Sequence, residues 1–175
     1  RFDQTSPPPI NAVVLGAMRS TTPSTSLSPH ELTYARYGLW HYVIPQKQKQ
    51  SPYTELHQAG ANLRGLMRVM LFKRFESSVH AFRETLKRLL RIHSDVLKAL
   101  EDGIVPAGEE AQQLLYESDQ MEEAFLFDAL RQVSLRYDIA DFHIDQLRKH
   151  IQQDISLLSE MLQLVAPITP DKDDK

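Results

Sequence analysis

The chain has no cysteine among its 175 residues. Disulfides, thiolate metal sites and a cysteine nucleophile are therefore excluded. That fits a reducing compartment, and the cytoplasm is the expected location. Glycine is scarce, with six in all. None precedes Lys-Ser or Lys-Thr at the spacing of a phosphate-binding loop, so no nucleotide site is recognisable. No Gly-x-Ser-x-Gly elbow and no His-Glu-x-x-His helix occurs, which removes two common hydrolase signatures. No apolar run approaches the roughly 20 residues that span a bilayer, so no membrane partner is expected. Strand-like patterning is missing except in INAVVL, residues 10–15. That run reads as a small strand or as a patch that docks on helices. No internal repeat is present. Arg1 stands where an initiator Met would, and polar, proline-rich sequence follows it. That is no signal peptide, and it suggests a piece of a longer protein.

What is present is helical. Residues 1–29 hold five Pro, five Ser and four Thr, and such a composition reads as a flexible, largely irregular segment. Ser28, Pro29 and Glu31 form a good helix start, which predicts a helix through LTYARYGLWHYV up to Pro45. Leu32, Ala35, Leu39 and Val43 lie near one side of it. Tyr34, Tyr37, Trp40 and Tyr42 read as core in preference to a base-stacking platform. Gln46–Gln50 reads as a solvated linker. Ser51-Pro52 opens a second helix, which Gly60 could interrupt. Leu63, Leu66, Met67, Met70, Leu71 and Phe75 make it apolar almost all round, which predicts deep burial.

From Val79 the period is clean. Val79, Phe82, Leu86, Leu89, Leu90, His93, Val96, Leu97 and Leu100 fall within one arc at about 100° per residue. Glu76-Ser77-Ser78 could kink the chain, but no proline forces a break. A continuous helix from Phe75 to Glu101 would be roughly 40 Å long. Gly103 and Pro106 end it as a C-terminal cap would. One or two acidic helices follow, with Leu114, Leu115, Met121, Phe125 and Leu126 as inward candidates. A turn is expected near Tyr137–Ala140. Asp141 can then cap a last helix with a seam at Ile144, Leu147, Ile151, Ile155, Leu158, Leu162 and Val165. Pro167 and Pro170 stop it, and residues 168–175 form a charged tail. The fold class is all-α: an elongated bundle over 30–167 with two long antiparallel amphipathic helices.

Charge is distributed unevenly. Net charge is −3. Residues 64–98 carry nine Lys/Arg against three acids, and residues 99–130 carry nine acids and no Lys/Arg. Such asymmetry marks an interaction surface or two segments that pair with each other. Arg83, Lys87 and Arg91 rise one turn at a time along one side, and phosphates could lie along them. A solvated face neutralised by the acidic segment explains the same pattern. His143, His150 and Asp154 could be drawn as a zinc trio, but solvated or capping roles suit them better. His93, inside the apolar arc, reads as a core histidine. Glu76 and Glu84 could share a face, with Arg83, Lys87 and Arg88 as their natural partners.

LTYARYGLWHYV, then YTELHQAGANLRGLMRVMLFKRFESSVHAFRETLKRLL, then ALEDGIVPAG resemble the region between the two motor lobes of bacterial Swi/Snf-type helicases. These are superfamily-two DNA-dependent ATPases. LMRVMLFKRFESS with the following AFRETL is the most specific piece. The resemblance covers about residues 31–108 and runs more loosely to 165. It implies a helical inter-lobe module that couples lobe movement to DNA engagement. Lys73 and Arg74 match the basic pair of the KRFESS motif, where the first lobe would hand over to helical insertions. With Arg83, Lys87 and Arg91 they are the candidate nucleic-acid contacts. The family's Walker A lysine and Asp-Glu-x-His box are absent here, so no catalytic residue carries over. ATP and Mg are implied for the missing lobes alone, and no cofactor or metal is expected in this chain. The implied partners are the flanking lobes and duplex DNA. The alternative is a protein-interaction module without a nucleic-acid role, including a homodimer of the fragment through its helical seams.

Overall fold

The computed structural model describes residues 10–18 and 31–167. Most of the 1–29 segment and the charged tail lie outside the described residues. Helices dominate: α1 (Ile10–Met18), α2 (Tyr53–Ser77), α3 (Val79–Glu101), α4 (Glu109–Glu117), α5 (Glu123–Val133) and α6 (Ile144–Val165). Among the described residues there is no strand, and a lone antiparallel bridge joins Val43 to Phe142. The all-α expectation holds.

α3 and α6 form the antiparallel spine. At one end, Phe82, Leu86 and Leu89 of α3 are buried with Leu157, Leu158, Met161 and Val165 of α6. At the other, Ile92, Val96 and Leu100 are buried with Leu147 and Ile151. The first cluster is completed by Val14 and Met18 of α1 and by Leu71 of α2. The second is completed by Ala111 and Leu115 of α4 and by Leu126 and Leu130 of α5. The end of α3 is a Schellman cap. Gly103 takes φ +77°, its N–H donates to Leu100 O, and Ile104 N donates to Ala99 O at 2.9 Å. Glycine enters this left-handed conformation without the steric cost that a Cβ imposes.

Several expectations are corrected. INAVVL is neither a strand nor irregular: it belongs to α1, whose Ala17 carbonyl accepts from Leu32 N at 2.8 Å. Its docking role stands at Val14, which is buried, and Ala17 and Met18 just beyond the run are buried with it. The helix expected over LTYARYGLWHYV is two short 3-10 turns, Ala35–Tyr37 and Leu39–Tyr42. The cause lies in α6. The Asp154 carboxylate accepts from Thr33 N at 2.7 Å and from Thr33 Oγ1 at 2.8 Å. Tyr34 then takes φ 52°, a conformation costly for a bulky residue. Its ring is buried and its hydroxyl donates to Met18 O at 2.9 Å, which holds it there.

The long helix from Phe75 to Glu101 is broken. Ser78 is extended, with φ −163° and ψ 129°. Its N–H still donates to Arg74 O, closing α2. Its Oγ accepts from Ala81 N, capping α3. Serine needs no proline to do this, because its side chain replaces a backbone partner. Nor is α2 deeply buried: Leu66 is 63% exposed and Val69 50%. The helix packs against α1, α3 and the 3-10 turns through Leu71 and the half-buried Leu63, Met67, Phe72 and Phe75, while Leu66 and Val69 face outward. Asp141 does not cap α6. It sits in the 3-10 turn Ile139–Asp141, capped by Asp138, and its carboxylate accepts from Tyr53 OH. Phe125, expected inward, is 65% exposed.

Gly60 does not interrupt α2. It lets α2 close on the first 3-10 turn: a Cβ there would stand 2.8 Å from Tyr37 O. Gly60→Ala gains up to about 1 kcal/mol of helix propensity, but forcing two backbones apart costs about 1–3 kcal/mol. The expected result is a lower urea midpoint, in contrast to the usual gain from alanine in a helix.

A cationic cleft between α2, α3 and α4

α2, α3 and α4 enclose a cleft of about 480 Å³, with the Ala35–Tyr37 turn at its back. Leu63, Met67 and Met70 form the apolar wall on α2. Arg36, Arg74, Lys87, Arg88 and Arg91 supply five cations to the lining, against Glu84 and Asp119. The excess is three positive charges (five minus two).

The cations are held differently. Arg36 is 5% exposed. Its Nη1 donates to Gln112 Oε1 and its Nη2 to Tyr37 OH, and its guanidinium lies 4.0 Å from the centre of the Tyr37 ring. Such stacking offsets part of the desolvation of a buried cation. Arg88 donates to Tyr116 OH at 2.9 Å and lies 3.5 Å from Asp119. Arg91 pairs with Asp119 through Nη1. Lys87 is exposed and bonds Glu84 at 3.1 Å, one turn away; its ammonium holds the Glu84 carboxyl below the usual range. Exposed pairs of this kind are screened by water and contribute little.

The candidate nucleic-acid residues separate into groups. Arg74, Lys87 and Arg91 line the cleft, whereas Lys73 and Arg83 do not. Arg74 and Lys73 are exposed near the end of α2. Arg83 is engaged elsewhere: its Nη2 donates to Val165 O at 3.0 Å and Ala166 O at 3.4 Å. A cation there satisfies the last carbonyls of α6 and complements its dipole. Arg83, Lys87 and Arg91 are therefore not one continuous free stripe. The acidic block pairs with the basic block: Asp119 takes Arg88 and Arg91, and Glu123 takes Lys98 at 3.2 Å. Of the two readings of the charge asymmetry, internal pairing is seen.

His93 lies behind the cleft, buried, with Nδ1 donating to Leu89 O at 2.7 Å. Burial lowers its pKa to about 3, helped by the nearby Arg36 cation, so it is a neutral core histidine. The conceivable zinc trio is not assembled. His143 is exposed, His150 is hydrogen-bonded to Tyr42 OH at 2.7 Å, and Asp154 serves Thr33. Among the described residues no group of three or more His, Asp or Glu is arranged to hold a metal ion. Nor is any described helix long and apolar enough to cross a membrane.

Sequence reasoning missed Arg36, Gln112 and Tyr116 as lining residues. Arg36 sits among aromatics that read as core, and a lone arginine in such company was the available signal. No family model matches the chain, and neither a curated protein nor a solved structure matches it.

Proposed function

We propose that the chain is a non-catalytic helical module of a Swi/Snf-type DNA motor, and that it grips duplex DNA by its phosphate backbone along the outer edge of the cleft. The observation that carries this is the meeting of cations from α2 and α3 at one open groove. The resemblance of residues 31–108 to the inter-lobe region of such motors supports the parentage. Lysine and arginine side chains along such an edge contact phosphate, which carries no sequence information. ATP and Mg belong to lobes outside this chain, and no hydrolysis is expected of it alone.

Lys73, Arg74 and Lys87 are the residues to change. Arg83 and Arg91 hold other parts of the fold, and reversing their charge confounds binding with stability. Lys73→Gln, Arg74→Gln and Lys87→Gln together are expected to weaken duplex binding and to flatten its salt dependence, by roughly 0.9 in the log–log slope per lost contact. Fluorescence anisotropy at several salt concentrations measures both. Unchanged affinity and slope would remove the DNA reading. ATP turnover by the isolated chain, with or without duplex DNA, would remove the non-catalytic one.

A second reading, docking of protein on α2, is favoured by the exposure of Leu66 and Val69. In the motor reading this face meets a flanking lobe. In the alternative it meets another protein or a second copy. Light scattering of wild type against Leu66→Asn tests the last case.

A further inference from the structure

We infer that the cleft holds a seat for a single phosphate group, gripped by Arg91 and Arg36. The argument starts from hydrogen-bond donors left over. Arg91 is anchored by Asp119 through Nη1. Its Nε and Nη2 are buried and have no acceptor among the described residues. These two nitrogens form one edge of the guanidinium, with parallel N–H groups. That edge is the bidentate form in which arginine takes oxyanions. Arg36 is more than nine-tenths buried, and Gln112 and Tyr37 fix two of its nitrogens. Its third nitrogen, Nε, is likewise buried without an acceptor. Both side chains line the same cleft.

Native proteins rarely leave buried donors unmatched, and each such group asks for a partner. The partner here must be anionic, because the lining carries more cations than acids. A carboxylate fits less well than phosphate. One carboxylate is satisfied by the free edge of Arg91 alone, and Arg36 Nε is then left without an acceptor. Phosphate has enough oxygens to meet Arg91 by two bonds and Arg36 by another. Leu63 and Met67 line the same cleft and offer apolar surface to whatever carries the phosphate. Two sources share this chemistry: a small phosphomonoester and a nucleic-acid backbone. The seat itself does not rest on the motor reading.

The test uses inorganic phosphate first, titrated at constant ionic strength with chloride as the balancing anion. Calorimetry and the thermal midpoint read the result. Saturable one-site binding with a raised midpoint is expected. Arg91→Gln is expected to weaken it by about tenfold or more, the loss of one bidentate charge-assisted pair. Lys149→Gln, at an exposed lysine of α6 outside the cleft lining, is expected to leave it unchanged. Arg36→Gln is expected to act as Arg91→Gln does, with circular dichroism confirming that it folds; Arg91 decides the matter if it does not. No saturable binding by wild type, or full affinity in Arg91→Gln, would overturn the seat. Glycerol phosphate and a short duplex are then competed against phosphate. Displacement by duplex that depends on Arg91 supports the seat and assigns the source to the backbone. Displacement by glycerol phosphate alone supports the seat and counts against the DNA reading.

Discussion

Asp154→Ala is expected to destabilise the chain by about 3 kcal/mol and to release the turn that carries Arg36. Asp154 is 1% exposed on α6. Its carboxylate accepts from Thr33 N and Thr33 Oγ1, and the backbone of Tyr34 and Ala35 also favours its charged form. Alanine leaves these donors buried without acceptors, at about 1–3 kcal/mol each. Part of that is offset, because the charged carboxylate no longer has to be desolvated. Burial wins in the balance and raises the Asp154 pKa to about 6.

That shift has a sign. An acid whose folded pKa lies above its unfolded value of 3.8 keeps its proton longer in the fold. Its contribution is present below pH 3.8 and is lost as pH rises through about 6. His93 has the opposite slope. Its folded pKa is about 3 against 6.5 unfolded. It costs stability as pH falls below 6.5, because the unfolded chain takes the proton first. The two slopes oppose each other between about pH 4 and pH 6, each near 1.4 kcal/mol per pH unit. Arg36 faces His93, and Arg64, Tyr34 and Tyr42 surround Asp154. Asp154→Asn, which keeps an acceptor for Thr33 N, removes one slope and exposes the other. Urea unfolding at pH 4, 5, 6 and 7 is expected to show the variant losing more stability than wild type on acidification. Parallel curves would show that Asp154 does not titrate in this window.

Phe82→Ala is expected to cost about 3–5 kcal/mol. Phe82 is fully buried at the start of α3, and its ring meets Phe75 edge-on, 5.1 Å between centroids. An aromatic pair of this geometry contributes about 0.5–1.5 kcal/mol beyond area burial. Phe75 is on α2 and Phe82 on α3, so the pair spans the break at Ser78. Truncation therefore leaves a cavity and loosens the angle between two helices. Phe125→Ala is the control: that ring is mostly exposed, and its loss should stay within about 0.5 kcal/mol. Denaturant midpoints separate the two. A small effect at Phe82 would mean that its neighbours collapse into the space.

The parts of the fold written in local period were legible. The arc of α3, the seam of α6 and the glycine cap at 103 depend on neighbours within a turn or two, and each is close to where the sequence puts it. In α6, however, Asp154, Leu157 and Met161 are buried where Ile155 and Leu162 were expected. Details within them shifted: Ile92 and Ala99 are buried in α3, whereas Leu90 and Leu97 are partly so. Thr33 to Tyr42 was not legible, because its conformation is dictated by Asp154, 121 residues away in the chain. A good capping box could not announce that. Ser78 was ambiguous for the opposite reason, since serine serves equally well inside a helix bend and at a helix start. The exposure of α2 was misread because an apolar helix tells nothing of how many of its sides are covered. The cleft was half legible. Arg74, Lys87 and Arg91 came from a count of cations, while Arg36 needed the turn that brings it there.

The junction at Ser78 has a mechanical meaning. Between Ser77 and Val79 a single residue leaves the helical conformation, and a single residue has two soft torsions. Met67 and Arg74 stand on one arm; Arg88 and Arg91 stand on the other. The φ and ψ of that serine therefore set the angle between α2 and α3, and with it the width between the two arms that carry the arginines.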